Sequence, residues 1–260
     1  MYELAEVKKD FIASLLDAGK RADGRALDEY RPISLEKRAI AKAEGSALVK
    51  VGKTQVLVGV KMALGEPFPD MPNSGVLTTN AELIPLASPT FEKGPPDEDT
   101  VELARVVDRG IRESHAIDLD RLCITKGEKV WIVFVDIHVL DYDGNLFDAS
   151  ALGAIASILD TRLPKVEDDR VIYEEKTEEG LPIGNRPVET TFAKIGNHII
   201  LDPSLDEELV TDARLTVATD PNGIICAMQK GGSGTFTKEE VHRIVQTARE
   251  KGDELRKYLK

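Results

Sequence analysis

The sequence is poor in aromatic side chains, in cysteine and in long apolar runs. Phe, Trp and Tyr make up 5% of its 260 residues, so a broad platform for stacking nucleic-acid bases is not expected. The two cysteines, Cys123 and Cys226, lie in apolar runs, and we expect free thiols, although a disulfide is left open. No apolar run approaches the roughly 20 residues that span a bilayer, and the acidic N-terminus is unlike a signal peptide. These absences predict a cytoplasmic protein without a membrane partner.

Positive charge is also scarce. The chain carries 34 Lys and Arg against 46 Asp and Glu, a net charge of −12. Affinity for a phosphate backbone needs clustered cations, so a general polyanion binder is not expected, although a local basic patch is still compatible with this balance. The histidines are scattered, and no spacing of His, Cys and Asp predicts a metal site or a cofactor. With 42% apolar residues, the chain is long enough for one large domain or two small ones.

Apolar periodicity predicts alternating strands and helices. Apolar residues at helical spacing predict a helix over residues 7–18. A hairpin around "VGKT" and a strand over 81–87 follow. Next come a helix over about 100–115, a second hairpin around "KGEK", and an Ala-rich helix after "DGN" that runs to about residue 161. The polar, turn-rich segment 167–187 predicts a connection, within which "RVIYEE" is a possible strand.

The second half of the chain echoes the first. The run "FAKIGNHIIL" at 192–201 repeats "LVKVGKTQVL" at 48–57, and a hairpin over 213–229 follows. A loop, "KGGSG", then leads into a helix for which Thr237 and Glu240 form a capping box. This order predicts one α/β domain built from two related halves. We expect an N-terminal helix at 1–20, a first half at 21–165 and a second half at 166–260.

The helix over 100–115 carries three arginines in one row. Arg105, Arg109 and Arg112 are spaced i, i+4 and i+7, nearly opposite the apolar stripe. One interpretation is a solvated face, with Asp108 pairing with Arg112 and Glu102 pairing with Arg105. The other is a column of guanidinium groups that binds successive phosphates.

Two further segments are candidates for chemistry. The acidic stretch at 201–217 could hold Mg²⁺ or supply general acids and bases, but a solvated turn is the simpler interpretation. The glycines of "KGGSG" could surround a phosphate, but a plain loop before a capped helix also explains them.

The turn "DGNLFD" has the position of an anion site, because it joins a strand to a helix N-terminus. The residues after Gly144 are Asn145, Leu146 and Phe147, which supply neither a hydroxyl nor a cation. Asp148 then places negative charge at the start of the helix, which repels phosphate. Chemistry alone therefore predicts no phosphate site in this turn.

Several of these motifs together resemble the RNase PH family. They are "RADGRALDEYRPI", "EGSALVKVGKTQVLVGV", "FDASALGAIASIL" and the run from "HIILDP" to "GTFTKEEV", so the resemblance covers the chain from about residue 21 nearly to its end. The segment at 80–119 resembles in particular the non-catalytic ring subunits of the archaeal exosome. The resemblance implies an RNase PH-like fold of the α/β (α+β) class, ribosomal protein S5 domain 2-like, whose duplicated halves account for the repeat.

The same resemblance implies that the catalytic site is lost. Catalytic relatives carry Asp-Gly-Gly-Thr-Arg in the turn, where Gly-Thr-Arg binds inorganic phosphate, and this chain has Asn145, Leu146 and Phe147 there. Their two aspartates in the acidic segment correspond to Glu208 and Arg214. An arginine cannot replace a catalytic carboxylate, so the resemblance implies no catalytic residues and no metal.

The resemblance also implies a role for the arginine row, because the corresponding helix of the family lies near the RNA path. We therefore expect Arg109 and Arg112, and next Arg105, to bind single-stranded RNA without reading bases. The expected protein is a non-catalytic subunit of a 3′→5′ phosphorolytic exoribonuclease. Its partners would be a catalytic RNase PH-like subunit, in a trimer of heterodimers, and S1-type and KH-type RNA-binding cap subunits.

Two alternatives to this expectation are left open. The chain could itself be a metal-dependent ribonuclease that uses carboxylates such as Asp202, Asp206 and Glu208. It could also be a purely architectural ring subunit whose arginines only form surface ion pairs.

Overall fold

Strands with alternating apolar residues form the first of two sheets in the computed structural model, which describes residues 2–167 and 170–260. The strands are β1 (Ile33–Lys37), β2 (Gly45–Val51), β3 (Thr54–Gly65), β4 (Val76–Leu83), β5 (Cys123–Thr125) and β6 (Lys129–Asp141). Their order is β1-β2-β3-β6-β4, with β5 also paired to β6. Only the β4–β6 pair is parallel. Every second side chain of β3 from Val56 to Met62 is buried, so one face of the sheet forms the core.

The second sheet comes from the second half of the chain. Its strands are β9 (Val188–Ile195), β10 (His198–Leu201), β11 (Ala213–Thr219) and β12 (Ile225–Gly231), in the antiparallel order β10-β9-β11-β12. A separate two-stranded ribbon, β7 (Arg162–Glu167) and β8 (Arg170–Gly180), lies between the two sheets in the sequence. The segment expected to be a connection is therefore largely a β-ribbon, and residues 168–169 of it lie outside the described residues.

Helices fill the space between the sheets and cover the second one. They are α1 (Tyr2–Asp17), α2 (Glu98–Glu113), α3 (Leu146–Asp160), α4 (Leu205–Glu208) and α5 (Lys238–Arg256), with short 3₁₀ helices at Leu119–Leu122 and Lys257–Leu259. Helix α3 packs on β2 and β3 on one side and on β9 on the other, and all its residues from Leu146 to Ile158 are buried. Helix α2 packs against β4, α3 and β12. No described helix has the length and apolar content to cross a membrane.

The predicted fold class is confirmed, with differences in some elements. The strand expected over 81–87 is β4, which begins earlier at Val76 and ends at Leu83. Pro85 has no N–H to continue a ladder, and a turn closes from the Ala87 N–H to the Ile84 carbonyl. Helix α5 begins with the expected capping box of Thr237 and Glu240. Cys123 and Cys226 are free and half-buried.

The repeated hairpins have the same turn but different neighbours. Gly52 and Gly196 occupy matching turn positions with φ angles of 60° and 58°, a left-handed conformation that favours glycine. In the first sheet the second strand of the hairpin, β3, pairs onward with β6. In the second sheet it is the first strand, β9, that pairs onward with β11, so β10 forms an edge. The predicted boundary after residue 165 falls within β7 and stays a prediction.

Candidate nucleic-acid interface and the cavity beside it

Helix α2 holds the three candidate arginines on one side of the molecule. Asp97 caps its N-terminus by accepting a bond from the Thr100 N–H, and a buried stripe that includes Leu103 and Val107 fixes the helix rotation. Arg105, Arg109 and Arg112 then line one open cavity of about 250 Å³, together with Asp108, Glu113 and Thr79. We call these three residues the arginine surface. The geometry brings the predicted residues together, and their binding role stays a prediction.

The contacts of the arginine surface differ from one residue to the next. Arg112 donates from Nε and Nη2 to the two carboxylate oxygens of Asp108, at 3.0 and 3.1 Å, and from Nη2 to the Leu77 carbonyl. Its side chain is still 38% exposed, so the guanidinium is held in a fixed orientation at the surface. Arg105 is exposed and forms no ion pair with any residue that the structure describes.

One of the two ion pairs expected for a solvated helix face forms and the other does not. The Asp108–Arg112 pair is present. Glu102 instead accepts bonds from Arg214 Nη2 at 2.7 Å and from Gln229 Nε2 at 3.3 Å. Arg109 in turn donates to Gln229 Oε1 at 3.3 Å. A polar chain therefore connects the arginine surface to Arg214 across β12.

The turn before α3 is closed by groups of the protein itself. Asn145 has a φ angle of 53°, and its N–H, which would face an anion at a helix N-terminus, donates to Glu208 Oε1 at 2.8 Å. The Asn145 side chain donates to Asp148 and Asp202. Gly144 lies so close to the next segment that a Cβ there would be 2.5 Å from the Pro203 carbonyl oxygen. The glycine of the Asp-Gly turn is thus required by its close packing against Pro203.

Four of the five residues that the sequence predicts at lost catalytic positions line a single cavity: Leu146, Phe147, Glu208 and Arg214. It has a volume of about 270 Å³, its walls include Phe147, Glu208, Arg214 and Tyr142, and we call it the α3 cavity. The Arg214 guanidinium stacks on the Phe147 ring at 4.1 Å from the ring centroid. Two side chains that the sequence predicts at lost catalytic positions therefore contact each other directly.

Electrostatics in the α3 cavity disfavours a phosphate. Glu208 accepts bonds from the Tyr142 hydroxyl at 2.6 Å and from the Asn145 N–H, and burial raises its pKa above the ordinary value. Burial and the nearby Glu208 also raise the pKa of Tyr142. The one arginine in the cavity wall is paired with Glu102, so its charge is already compensated. Binding a phosphate here would require separating that pair.

The acidic segment is divided among separate partners. Asp206 pairs with Lys8 at 2.6 Å at the surface, and Asp212 pairs with Lys9. Among the described residues, no group of His, Cys, Asp and Glu side chains is arranged to hold a metal ion. The "KGGSG" glycines are explained by packing, since a Cβ on Gly232 or Gly234 would lie 2.8 or 2.7 Å from the Asp212 carbonyl oxygen. These contacts give no support to a metal-dependent nuclease.

Asp202 belongs to a buried ionic network that ties the N-terminal signature to the second half. Its carboxylate accepts bonds from Arg31 at 2.7 and 2.9 Å, from Arg25 and from Asn145. Burial raises its pKa, but the hydrogen bonds and charge of Arg31 outweigh this, so the pKa lies below the ordinary value. Arg21 pairs with Glu207 in the same region. Asp202, a candidate metal ligand by sequence, therefore has a structural role.

Sequence reasoning did not single out Gln229 and Glu189, which lie behind the arginine surface. Gln229 connects Arg109 to Glu102. Glu189 is a buried acid on β9 and lines a small cavity together with Arg109 and Gln229. The sequence alone could have marked Glu189 as unusual, because it is the one acidic residue in the strand "VETTFAKI".

Comparisons with known proteins agree along the whole chain. Two profiles of the 3′ exoribonuclease family match, domain 1 over residues 29–164 and domain 2 over residues 185–251. A protein of Pyrococcus horikoshii named exosome complex component Rrp42 is 57% identical over 261 residues, covering 98% of this chain and 94% of that protein. Among solved structures, a subunit of the Archaeoglobus fulgidus exosome with RNA bound to the active site has a TM-score of 0.92 at 50% identity, covering 99% of both chains. A subunit of an archaeal exosome core has a TM-score of 0.89 at 46% identity, covering 100% of this chain and 99% of that one.

These matches exceed what a shared fold alone would produce. The chain belongs to the 3′ exoribonuclease (RNase PH) family and, within it, groups with the archaeal proteins named exosome complex component Rrp42.

Proposed function

We propose that this protein is a non-catalytic ring subunit of an archaeal exosome, a 3′→5′ phosphorolytic exoribonuclease. It would alternate with a catalytic RNase PH-like subunit in a trimer of heterodimers and help to bind RNA near the partner's active site. The names and solved assemblies of relatives about half identical over nearly the whole chain support the assembly. S1-type and KH-type cap subunits and a cytoplasmic location are further parts of the proposal.

The contact between Phe147 and Arg214 carries the non-catalytic part of the proposal. A phosphorolytic site needs a cation for the attacking phosphate and a carboxylate for acid or metal chemistry. Here an apolar ring and a guanidinium stand at those two positions and stack on each other at 4.1 Å. Glu208 keeps a carboxyl group in the cavity wall, but it is partly buried and accepts hydrogen bonds from Tyr142 and Asn145.

The arginine surface supports the RNA-binding part. Arg105 is exposed, Arg112 is fixed by Asp108 with 38% of its side chain exposed, and Arg109 lies between them. Guanidinium groups spaced along a helix suit successive phosphates of a single strand, and such contacts carry no base specificity. A local row of arginines fits a chain whose net charge is −12, because such a chain would hold RNA only within an assembly.

A purely architectural subunit is the second candidate, favoured by the Asp108–Arg112 ion pair. This pair offsets one of the three charges of the arginine surface. In this case the arginines would stabilise α2 and its surroundings without contacting RNA. Exposed ion pairs of this type contribute about 0.3–0.5 kcal/mol in helices, so their removal would have little effect on stability.

The proposal is tested by assaying the purified chain with single-stranded RNA and inorganic phosphate, first alone and then with a catalytic RNase PH-like partner. We expect no release of nucleoside diphosphates by the chain alone, and release once the partner is added. Native mass measurement should find equal numbers of the two chains in a closed ring. Phosphorolysis by the chain alone would contradict the non-catalytic assignment, and failure to assemble would contradict the ring.

A further inference from the structure

A buried carboxyl group lies directly beneath the arginine surface. Glu189 on β9 is 2% exposed, and its Oε2 has no hydrogen-bond partner among the described residues. Helix α2 passes so closely over it that a Cβ on Gly110 would lie 2.5 Å from Glu189 Oε1. A buried polar atom without a partner costs free energy, so its presence at this point of the fold calls for a functional explanation.

Arg109 is a cation whose charge acts on this carboxyl group. It precedes Gly110 on α2 and lines the same small cavity as Glu189. Its one hydrogen bond to a described side chain, from Nη1 to Gln229 Oε1, is 3.3 Å long and therefore weak. The guanidinium is thus held less firmly than that of Arg112, and a nearby change of charge can move it.

The surroundings of Glu189 contain few other charges. Helix α2 contributes Arg109, and α3 contributes Asp148, whose negative charge acts on Glu189 through space. The remaining side chains that line the cavities on either side of Glu189 are uncharged: Val106, Val107, Ile111, Ala151, Ile155, Pro187, Val188, Thr216, Ala218, Ala227, Met228 and Gln229. The charge on Glu189 therefore depends on burial and on these two neighbours.

Burial is the main influence on this charge. Desolvation and the negative charge of Asp148 raise the pKa of Glu189, and the opposing charge of Arg109 only partly offsets them, which leaves the pKa at about 8. At neutral pH the carboxyl group is therefore mostly neutral, and the charge of Arg109 is available at the surface. Above that pKa the carboxyl group becomes a carboxylate in the cavity that Glu189 shares with Arg109.

We propose that Glu189 is the positioning residue of Arg109: its neutral carboxyl leaves the guanidinium facing RNA, and its ionisation draws the guanidinium inward and weakens RNA binding. This inference rests on the proposed RNA-binding role of the arginine surface. It makes the affinity for RNA depend on pH through one identified side chain that does not itself contact RNA.

The test is the affinity of the full chain, assembled with its catalytic partner, for an adenine-rich single-stranded RNA. Measurements run from about pH 6.5 to about pH 9 in phosphate-free buffer, so that phosphorolysis does not consume the RNA. We expect wild-type affinity to fall about three- to tenfold over this range, with a shallower salt dependence at the alkaline end.

The variant Glu189→Gln, whose side chain stays neutral, should keep its neutral-pH affinity over the whole range. The control is Glu175→Gln, which changes an exposed glutamate of the β-ribbon and should follow wild type.

A parallel measurement follows the carboxyl group itself. The infrared band of a protonated, buried carboxyl group should be present at neutral pH in the full chain and absent in Glu189→Gln. Parallel loss of affinity in wild type and Glu189→Gln, or the lack of this band, would overturn the inference.

The variant Arg109→Ala separates the role of Glu189 from the proposed RNA-binding function. Weaker binding in this variant together with a flat wild-type pH profile would reject the role of Glu189 and leave the proposed function standing. Unchanged binding would reject the arginine surface and the inference with it.

Discussion

At the scale of single residues, the α3 cavity combines an apolar ring, an arginine already paired with Glu102, and a carboxyl group that accepts bonds from the protein itself. The sequence predicts that Phe147 and Arg214 replace catalytic residues, and it could not show that they stack at 4.1 Å. Their proximity depends on the pairing of β9 with β11 and on the packing of α3 against β9, which are long-range contacts. The same limit applies to Glu189: it is visible in the sequence as the one acid of its strand, but its burial depends on the position of α2.

The buried acid Glu189 predicts a pH-dependent stability. Its folded-state pKa of about 8 is above the ordinary 4.5, so between these values the folded state keeps a proton that the unfolded state has lost. The contribution of Glu189 to the free energy of unfolding therefore falls as pH rises from about 4.5 to about 8, and is constant above that. We expect the stability of Glu189→Gln relative to wild type to rise across this range by on the order of a few kcal/mol. Urea unfolding at several pH values measures this difference, and a pH-independent difference would show that Glu189 ionises normally.

At the scale of secondary-structure elements, periodicity located the helices but misplaced a strand end. The stripe of α2 and the capping box of α5 are local patterns, and both appear in the structure close to the predicted positions. The strand over 81–87 was misjudged because the apolar residues of "LIPLA" continue beyond Pro85, where the chain turns. The repeated hairpins were recognised, but the strand of each hairpin that pairs with a third strand differs between the two sheets, and a local repeat does not show this difference.

The ionic network around Asp202 joins elements that are distant in sequence, and it gives a matched pair of variants. Asp202→Asn removes the charge that faces Arg31 and Arg25 in a buried site and keeps a residue type that tolerates the φ angle of 49°. We expect a loss of about 3–5 kcal/mol in the free energy of unfolding. Asp206→Asn removes an exposed pair with Lys8 and should change it by less than about 1 kcal/mol.

Denaturant unfolding of these two variants and wild type measures the comparison. Because the folded-state pKa of Asp202 is lowered, the stabilisation by its charge is present above its ordinary pKa and is lost as pH falls. The difference between wild type and Asp202→Asn should therefore shrink below about pH 4. Equal effects of the two substitutions would show that the network contributes no more than a surface pair.

At the scale of the whole molecule, an acidic protein presents a local row of arginines on a helix packed between two sheets. Composition alone predicted weak affinity for nucleic acid, and the net charge of −12 still argues against binding RNA by the isolated chain. The spacing of Arg105, Arg109 and Arg112 could be predicted from the sequence, since helical periodicity is a local property. The surroundings of each guanidinium could not be predicted, because Gln229, Glu189 and Leu77 come from other elements.

The measurement that tests this account most directly is the salt dependence of RNA affinity for the assembled complex carrying Arg109→Ala and Arg112→Ala. The matched control is Arg38→Ala, which removes an exposed arginine paired with Asp160 on another part of the molecule. We predict that the double variant binds single-stranded RNA about 10- to 100-fold more weakly, and that the slope of log affinity against log salt falls by about 1–2, one for each lost phosphate contact. The control should retain the wild-type slope. An unchanged slope in the double variant, with the ring intact, would contradict the account and favour an architectural subunit.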